Sequence, residues 1–459
     1  MAPESKKSHH LSPSRGNTNV AIIGAGASGC ICAYLLQKEG FDVTLFDKGM
    51  PLRTLLPTGG GRCNLAHAEY DFKDLAKNYP RGEKFLYSVF SKFSTYDTLA
   101  LFDELGIETY TQEDERIFPT SNSAKDVREK ILGHLKDVQI QREEVVEVER
   151  INGGFKVLTS KYPSPPTPAW LSTVNESSVF APQNTSALCR QSALPQGARR
   201  VDNPTPASVK LSRASLTAAP SPSRGEGMCE YLFSHIVIAI GGHSIFDFLK
   251  NFDIKIISPR PSLVGLNTKE KSKEVSGIVV KNAYYNGITD DLLFTHFGIS
   301  GPLAYKISSI KARDNFPYKL NLDLYPQEID LQELLNTNPH KDVKNILSKF
   351  IPHGLIKYLI GDIAEIKAHK IDGKTRDYIL SRIHNLELTV ISTNKGEETV
   401  TAGGINLAEI NPKTMELKKY PKIFCIGEAL DIDGFCGGYN LQNAWSTAFV
   451  AKEGITTPC

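Results

Sequence analysis

Near the start of the chain, Gly24-Ala25-Gly26-Ala27-Ser28-Gly29 places three glycines at the spacing G-x-G-x-x-G. The apolar run Val20–Ile23 precedes it, a helical pattern over Ser28–Glu39 leaves it, and a second strand pattern, Val43–Phe46, ends at Asp47. Strand, glycine turn, helix, strand and terminal acid occur in the order that a dinucleotide-binding βαβ unit requires. Each glycine then has its own reason. Gly24 makes the tight turn, Gly26 lets a pyrophosphate come close, and Gly29 lets the helix pack on the strand. Backbone N–H groups of Ala27 and Ser28 open the helix and face the phosphates. Asp47 suits the two hydroxyls of an adenosine ribose, with Lys48 beside it. A purely structural glycine turn needs only part of this arrangement.

Two further clusters bear on which dinucleotide. Thr58-Gly59-Gly60-Gly61-Arg62-Cys63-Asn64 follows the acid closely, and three successive glycines let backbone amides meet a ligand at angles that side chains forbid. Near the C-terminus, a buried-strand pattern runs into Gly427-Glu428. The segment Gly437-Gly438-Tyr439-Asn440 then opens a helix expected over Leu441–Lys452. Glu428 at a strand end suits ribityl hydroxyls, and a helix N-terminus suits negative charge at the N1–C2=O edge of a reduced isoalloxazine. NAD has no ribityl chain, so the set favours non-covalent FAD, with NAD(P)H at most a dissociable partner. Gly241-Gly242, after Ile236–Ile240, resembles the strand-then-glycine element at which many flavoproteins return to the cofactor. His296, in the glycine-rich Thr295-His296-Phe297-Gly298, is the candidate catalytic acid/base. Its alternative is a histidine that only shapes the loop. Cys63 and Cys436 both fall in cofactor loops, but small buried cysteines are commoner than dithiol centres.

These motifs need several elements to position them. The 459 residues are enough for two or three domains, and Lys plus Arg exceeds Asp plus Glu by only 53 − 51 = 2. That balance argues against nucleic acid or a charged membrane surface as the main partner, and no apolar run reaches membrane-spanning length. The substrate is therefore expected to be a small molecule. Eight cysteines without CxxC pairs or metal-ligand spacing imply no metal site and a reducing, cytoplasmic setting. The expected architecture is α/β. Residues 1–18 are expected to form a disordered tail. A Rossmann-type FAD domain is assembled from 19–160, 229–260 and 401–459. Residues 161–228, with ten of the 26 prolines, are expected to form a largely disordered insert between two strand patterns that would otherwise make a hairpin. Residues 261–326 and 384–400 form a β-rich, barrel-like domain, interrupted by a small helical subdomain at 327–383. Oligomeric state is not legible.

The chain resembles the bacterial FAD-dependent family of aminoacetone-oxidase-like or bile-acid-reductase-like oxidoreductases. The stretches that carry the resemblance are GAGASG (24–29), GGGRCN (59–64), IFPTSNSAKDV (117–127), AIGGHS (239–244), FTHFGISGP (294–302), TAGGINLAEINPKTME (401–416) and GEALDIDGFCGGYNLQNAW (427–445). The resemblance implies a segmented FAD domain with inserted β-rich and helical parts. Members commonly carry Ser before GGGRCN and Thr-Asn after it; here Thr58 precedes and Leu65-Ala66-His67 follows. Ile240 stands where Thr is usual. The function expected is an FAD-dependent oxidoreductase that passes a hydride between a small organic substrate or NAD(P)H and flavin N5. The alternative is a flavin-binding sensor or structural flavoprotein with little turnover.

Overall fold

Val20–Ile23, Val43–Phe46 and Ile236–Ile238 are near-continuous apolar runs, the pattern of strands covered on both faces and hence of a parallel sheet. The computed structural model describes residues 18–161, 228–242, 246–270, 273–394 and 400–457. The expected tail 1–18, apart from Thr18, and the expected insert 161–228, apart from Lys161 and Met228, which are strand ends, lie outside the described residues. Five parallel strands form the central sheet in the order Ile423–Cys425, His235–Ile238, Asn19–Ile23, Asp42–Phe46, Gln139–Gln141. The sheet therefore draws its strands from distant parts of the chain. The helix Ala27–Lys38 leaves the first strand and packs against the C-terminal helix Tyr439–Thr456. A mixed α/β, Rossmann-type architecture results.

The apolar period over 84–105 would suit a single helix, but the segment forms two, Glu83–Phe90 and Thr95–Glu104. The break is local chemistry. Ser94 and Asp97 form a reciprocal capping box, which starts a new helix rather than continuing the old one. The strands on either side of the 162–227 segment, Gly154–Lys161 and Met228–Phe233, are neighbours in a three-stranded sheet completed by Glu143–Ile151. That sheet meets the central one through Phe46, whose ring lies 5.2 Å edge-on to Tyr231 and 5.9 Å from Phe233.

A six-stranded antiparallel sheet is the second core. Its order is Val279–Tyr285, Ile288–Thr295, Gly298–Ser300, Leu266–Thr268, Leu386–Thr393, Tyr318–Leu322. Tyr284 and Asp323 exchange backbone hydrogen bonds (2.7 and 3.0 Å) across its two edges, so the sheet curls into a barrel. The helices Leu331–Thr337, Val343–Leu347, His353–Ile360 and Gly373–His384 bury their apolar faces in the same cluster as the barrel strands. Leu335, Ile346, Leu355 and Ile379 face that shared core, so helices and barrel depend on one another for burial. Among the described residues, no helix is long and apolar enough to cross a membrane.

Candidate functional site

Gly24 adopts φ +107°, and a side chain there would meet the Ala239 carbonyl oxygen at 2.5 Å. The turn after the first strand thus presses on the strand that leads to Gly241-Gly242. A Cβ on Gly29 would collide with the Gly24 carbonyl, so helix and turn are in contact at that point. Gly26 differs: nothing lies within 4 Å of where its Cβ would stand. The middle glycine faces open space, the room that a pyrophosphate would take. Asp47 Oδ2 accepts the Ala25 N–H (2.8 Å) and Oδ1 accepts the Gly49 N–H (2.6 Å). The carboxylate therefore holds the glycine turn itself and keeps lone pairs for a further donor.

The triple-glycine segment Thr58–Gly61 is a distorted 3₁₀ turn, with Gly59, Gly60, Gly61 and Cys63 all at positive φ. Gly60 is open, whereas a Cβ on Gly59 would meet Asn64 N and the Phe118 ring at 2.8 Å. Arg62 donates to the Gly59 carbonyl (3.3 Å) and lies 4.3 Å over the Phe118 ring. Asn64, with its amide nitrogen toward the Ala66 and Ile117 carbonyls (2.9 and 3.1 Å), accepts the Gly438 N–H at 3.1 Å. The triple-glycine segment and the C-terminal glycine pair are therefore in direct contact, although 374 residues separate Asn64 from Gly438.

The C-terminal segment closes the cluster. Gly427, at φ +64°, would place a Cβ 2.5 Å from Ser28 Oγ, and its N–H donates to Thr447 Oγ1 (2.9 Å). Glu428 accepts the Thr401 N–H (2.8 Å) and lies within 4 Å of where side chains on Gly241 and Gly242 would project. Asn440 exchanges two 2.8 Å hydrogen bonds with the backbone of Gly434 and so ties off the loop before the helix. Gly438 at φ +98° caps that helix, whose first N–H groups, from Tyr439 onward, have no partner within it. The expected helix Leu441–Lys452 is longer, Tyr439–Thr456, because the glycine cap sits directly before Tyr439.

Gly24, Gly26, Ala27, Ser28, Gly29, Asp47, Gly241, Gly242, Gly427 and Glu428 thus form one group, and the 59–64 segment with Gly437 to Asn440 a second; the C-terminal helix carries both, through Thr447 to Gly427 and Trp445 to Leu65. Lys48 lies just outside them, paired with Glu144 at 3.0 Å. Among the described residues, His296 makes no hydrogen bond, ion pair or ring contact with either group. It is exposed in the two-residue turn between Ile288–Thr295 and Gly298–Ser300, its ring 5.2 Å from that of Phe297. The two cysteines differ sharply: Cys63 is fully buried and its thiol is pushed up to about 12. Cys436 is solvent-accessible but closely walled in, which pushes its thiol up to about 11. Neither is a thiolate near neutral pH, which disfavours a dithiol redox centre.

Three residues join these groups without a sequence signal strong enough to single them out. His67 Nδ1 lies 3.2 Å from the Gly437 carbonyl. Arg128 donates to the Pro51 carbonyl (2.9 Å), one residue before Leu52, whose N–H donates to the Ala25 carbonyl of the glycine turn (2.7 Å). Asn443 is buried with its Oδ1 unpartnered, on the helix stripe between Asn440 and Thr447, which bond to Gly434 and Gly427. The open glycines and this orphaned oxygen fit a site that a ligand completes. Among the described residues, no group of three or more His, Cys, Asp or Glu could hold a metal ion.

A family model described as HI0933-like protein Rossmann domain matches residues 18–164 and 225–454. A ribosomal RNA dihydrouridine synthase of Haemophilus influenzae is 28% identical over 457 residues, covering 95% of this chain and 98% of that protein. Another of the same name from Escherichia coli is 26% identical, covering 95% and 97%. A 3-dehydro-bile acid delta(4,6)-reductase of Clostridium scindens is 24% identical, covering 94% and 97%. The bile-acid-reductase half of the resemblance recurs in this set; the aminoacetone-oxidase half is carried by none of the three.

Proposed function

The chain belongs to the HI0933-like Rossmann-domain family, and from that membership we propose that it is an FAD-dependent reductase of a carbon–carbon double bond conjugated to a carbonyl. The observation that supports the reading is that the glycine segments at 24–29, 241–242 and 427 touch one another, that the 59–64 segment touches the 437–438 pair, and that Gly26 and Gly60 are open. The 24–29 turn would hold the pyrophosphate, Asp47 the adenosine ribose, and Glu428 the ribityl chain. The N-terminus of the helix Tyr439–Thr456 would lie at the N1–C2=O edge of the ring system. Bound there, FAD supplies the two-electron chemistry. The chain's own part is to orient the ring, to offer fixed positive dipole where negative charge develops, and to place the substrate. His296 remains the proposed proton carrier, although its place at a barrel turn requires the substrate to bridge from there to the glycine surface.

The relatives' names support the reaction class. Dihydrouridine differs from uridine by two hydrogens across a bond conjugated to the ring carbonyl, and a delta(4,6) steroid carries a double-bond system next to its ketone. One hydride and one proton saturate the uracil double bond, and the same pair saturates one of the two double bonds of the dienone. The near-zero net charge favours a small molecule, but net charge does not describe a local surface, and the 28% and 26% identical relatives keep a uracil ring in RNA within this reading. The test is anaerobic titration of the flavin-loaded protein with NADH and NADPH. The reduced protein is then mixed with a uridine-bearing ribosomal RNA fragment or with a steroid dienone. Bleaching by a nicotinamide and reoxidation by one acceptor are expected. Reoxidation by neither would remove the reaction class, and failure of every donor would favour the flavin-binding sensor instead.

A further inference from the structure

The Gly437 carbonyl and the Gly438 N–H are the two polar ends of one peptide unit, and a different side chain grips each. His67 Nδ1 lies 3.2 Å from the carbonyl oxygen. That oxygen can only accept, so Nδ1 carries the proton and donates. Asn64 accepts the N–H at 3.1 Å. Both side chains come from the short run that ends the triple-glycine segment. The peptide they hold lies between residues at φ +132° and +98°, conformations that favour glycine. Without Cβ atoms on either side, such a unit rotates readily unless something fixes it.

The clamp is itself braced. The His67 ring packs on the Tyr439 ring, with centroids 4.7 Å apart; Glu115 Oε2 lies 3.5 Å from its Nε2, a contact that adds a hold only on a ring carrying both protons. The His67 side chain is only 16% exposed. Glu115 is placed by a backbone at φ +63° whose carbonyl accepts the Ala68 N–H (2.7 Å). Trp445 Nε1 donates to the Leu65 carbonyl (2.9 Å) and fixes the same run against the C-terminal helix. All of this converges on the residue pair that caps the helix, directly before its unpartnered N–H groups at Tyr439 and Asn440.

We propose that His67 is a positioning residue of the flavin site: with Asn64 it locks the Gly437–Gly438 peptide, and through that peptide it sets the two-electron potential of the bound cofactor. The inference rests on the FAD reading above. A locked peptide keeps the helix-start N–H groups aimed in one direction, so their stabilisation of negative charge costs no reorganisation on reduction. Releasing the peptide spreads those donors over several orientations, which weakens binding of the reduced form more than that of the oxidised form.

The experiment compares wild type with His67→Phe, which keeps the stack on Tyr439 but has no donor, and His67→Gln, which keeps a donor. Each flavin-loaded protein is titrated to its midpoint potential, and its melting temperature is measured alongside. His67→Phe should lose roughly tenfold in the ratio of reduced to oxidised binding, a fall of about 30 mV for a two-electron couple. His67→Gln should stay near wild type. A potential for His67→Phe within about 10 mV of wild type, whatever its melting temperature, would overturn the inference. So would equal falls in both variants. Wild-type protein that holds no flavin would instead overturn the FAD reading on which the inference stands.

Discussion

Replacing Asp47 by Asn tests the ribose assignment with least disturbance of shape. Both carboxylate oxygens are engaged, Oδ2 with the Ala25 N–H at 2.8 Å and Oδ1 with the Gly49 N–H at 2.6 Å. An amide offers one acceptor and one donor group, so one of these backbone donors must face another donor or turn to water. Asp47 is only half-buried, so that donor can be rehydrated, and the apoprotein should lose about 1 kcal/mol. A hydrogen bond from ribose to a charged acceptor is worth about 1.5–3 kcal/mol, roughly 10- to 150-fold in affinity. The assay is titration of flavin-stripped protein with FAD, followed by fluorescence quenching, with FMN run in parallel because it lacks the adenosine ribose. FAD should bind at least about tenfold more weakly, while FMN affinity should change by less than about threefold. An unchanged FAD dissociation constant would refute the assignment. Equal losses for FAD and FMN would mean that Asp47 shapes the glycine turn and does not touch the ribose.

Asp433 is fully buried, paired with Arg81 and bonded to Ser262 Oγ (2.6 Å) and Ser309 Oγ (2.9 Å). Arg81→Ala should therefore destabilise by about 3–5 kcal/mol in denaturant unfolding, and a loss under about 1 kcal/mol would show the carboxylate rehydrated. Gly427→Ala combines a left-handed backbone with a Cβ 2.5 Å from Ser28 Oγ. It should cost about 1–3 kcal/mol and weaken FAD retention, so a variant that keeps both melting temperature and colour contradicts the close approach. Burial and nearby Lys422 hold the His235 imidazole down at about 4. The unfolded chain then binds a proton between about pH 6.5 and 4 that the fold excludes. Stability should accordingly fall as pH drops through that window, by about 1–2 kcal/mol once the partial exposure of the ring is allowed for. His235→Gln should flatten the melting curve against pH, and an unaltered slope would dismiss this histidine as a source.

What the sequence determined by itself was local. The strand–turn–helix–strand unit at 19–47 is legible because apolar period, glycine spacing and a terminal acid all act within one short stretch. The unit appears as Asn19–Ile23, Ala27–Lys38 and Asp42–Phe46. The strands flanking 162–227 were legible for the same reason. Even the break between Glu83–Phe90 and Thr95–Glu104 was available in the Ser94–Asp97 spacing, although the longer apolar period masked it. Tertiary structure decided the rest. Nothing local says that the helices of 331–384 bury their apolar faces against the barrel strands, because an amphipathic stripe records that it is covered and not by what. His67 reads in sequence as a departure from a motif, and His296 as a catalytic candidate. Packing gives the first the Gly437 carbonyl and leaves the second exposed on a turn, because the partner that assigns a histidine its task comes here from a segment 370 residues away.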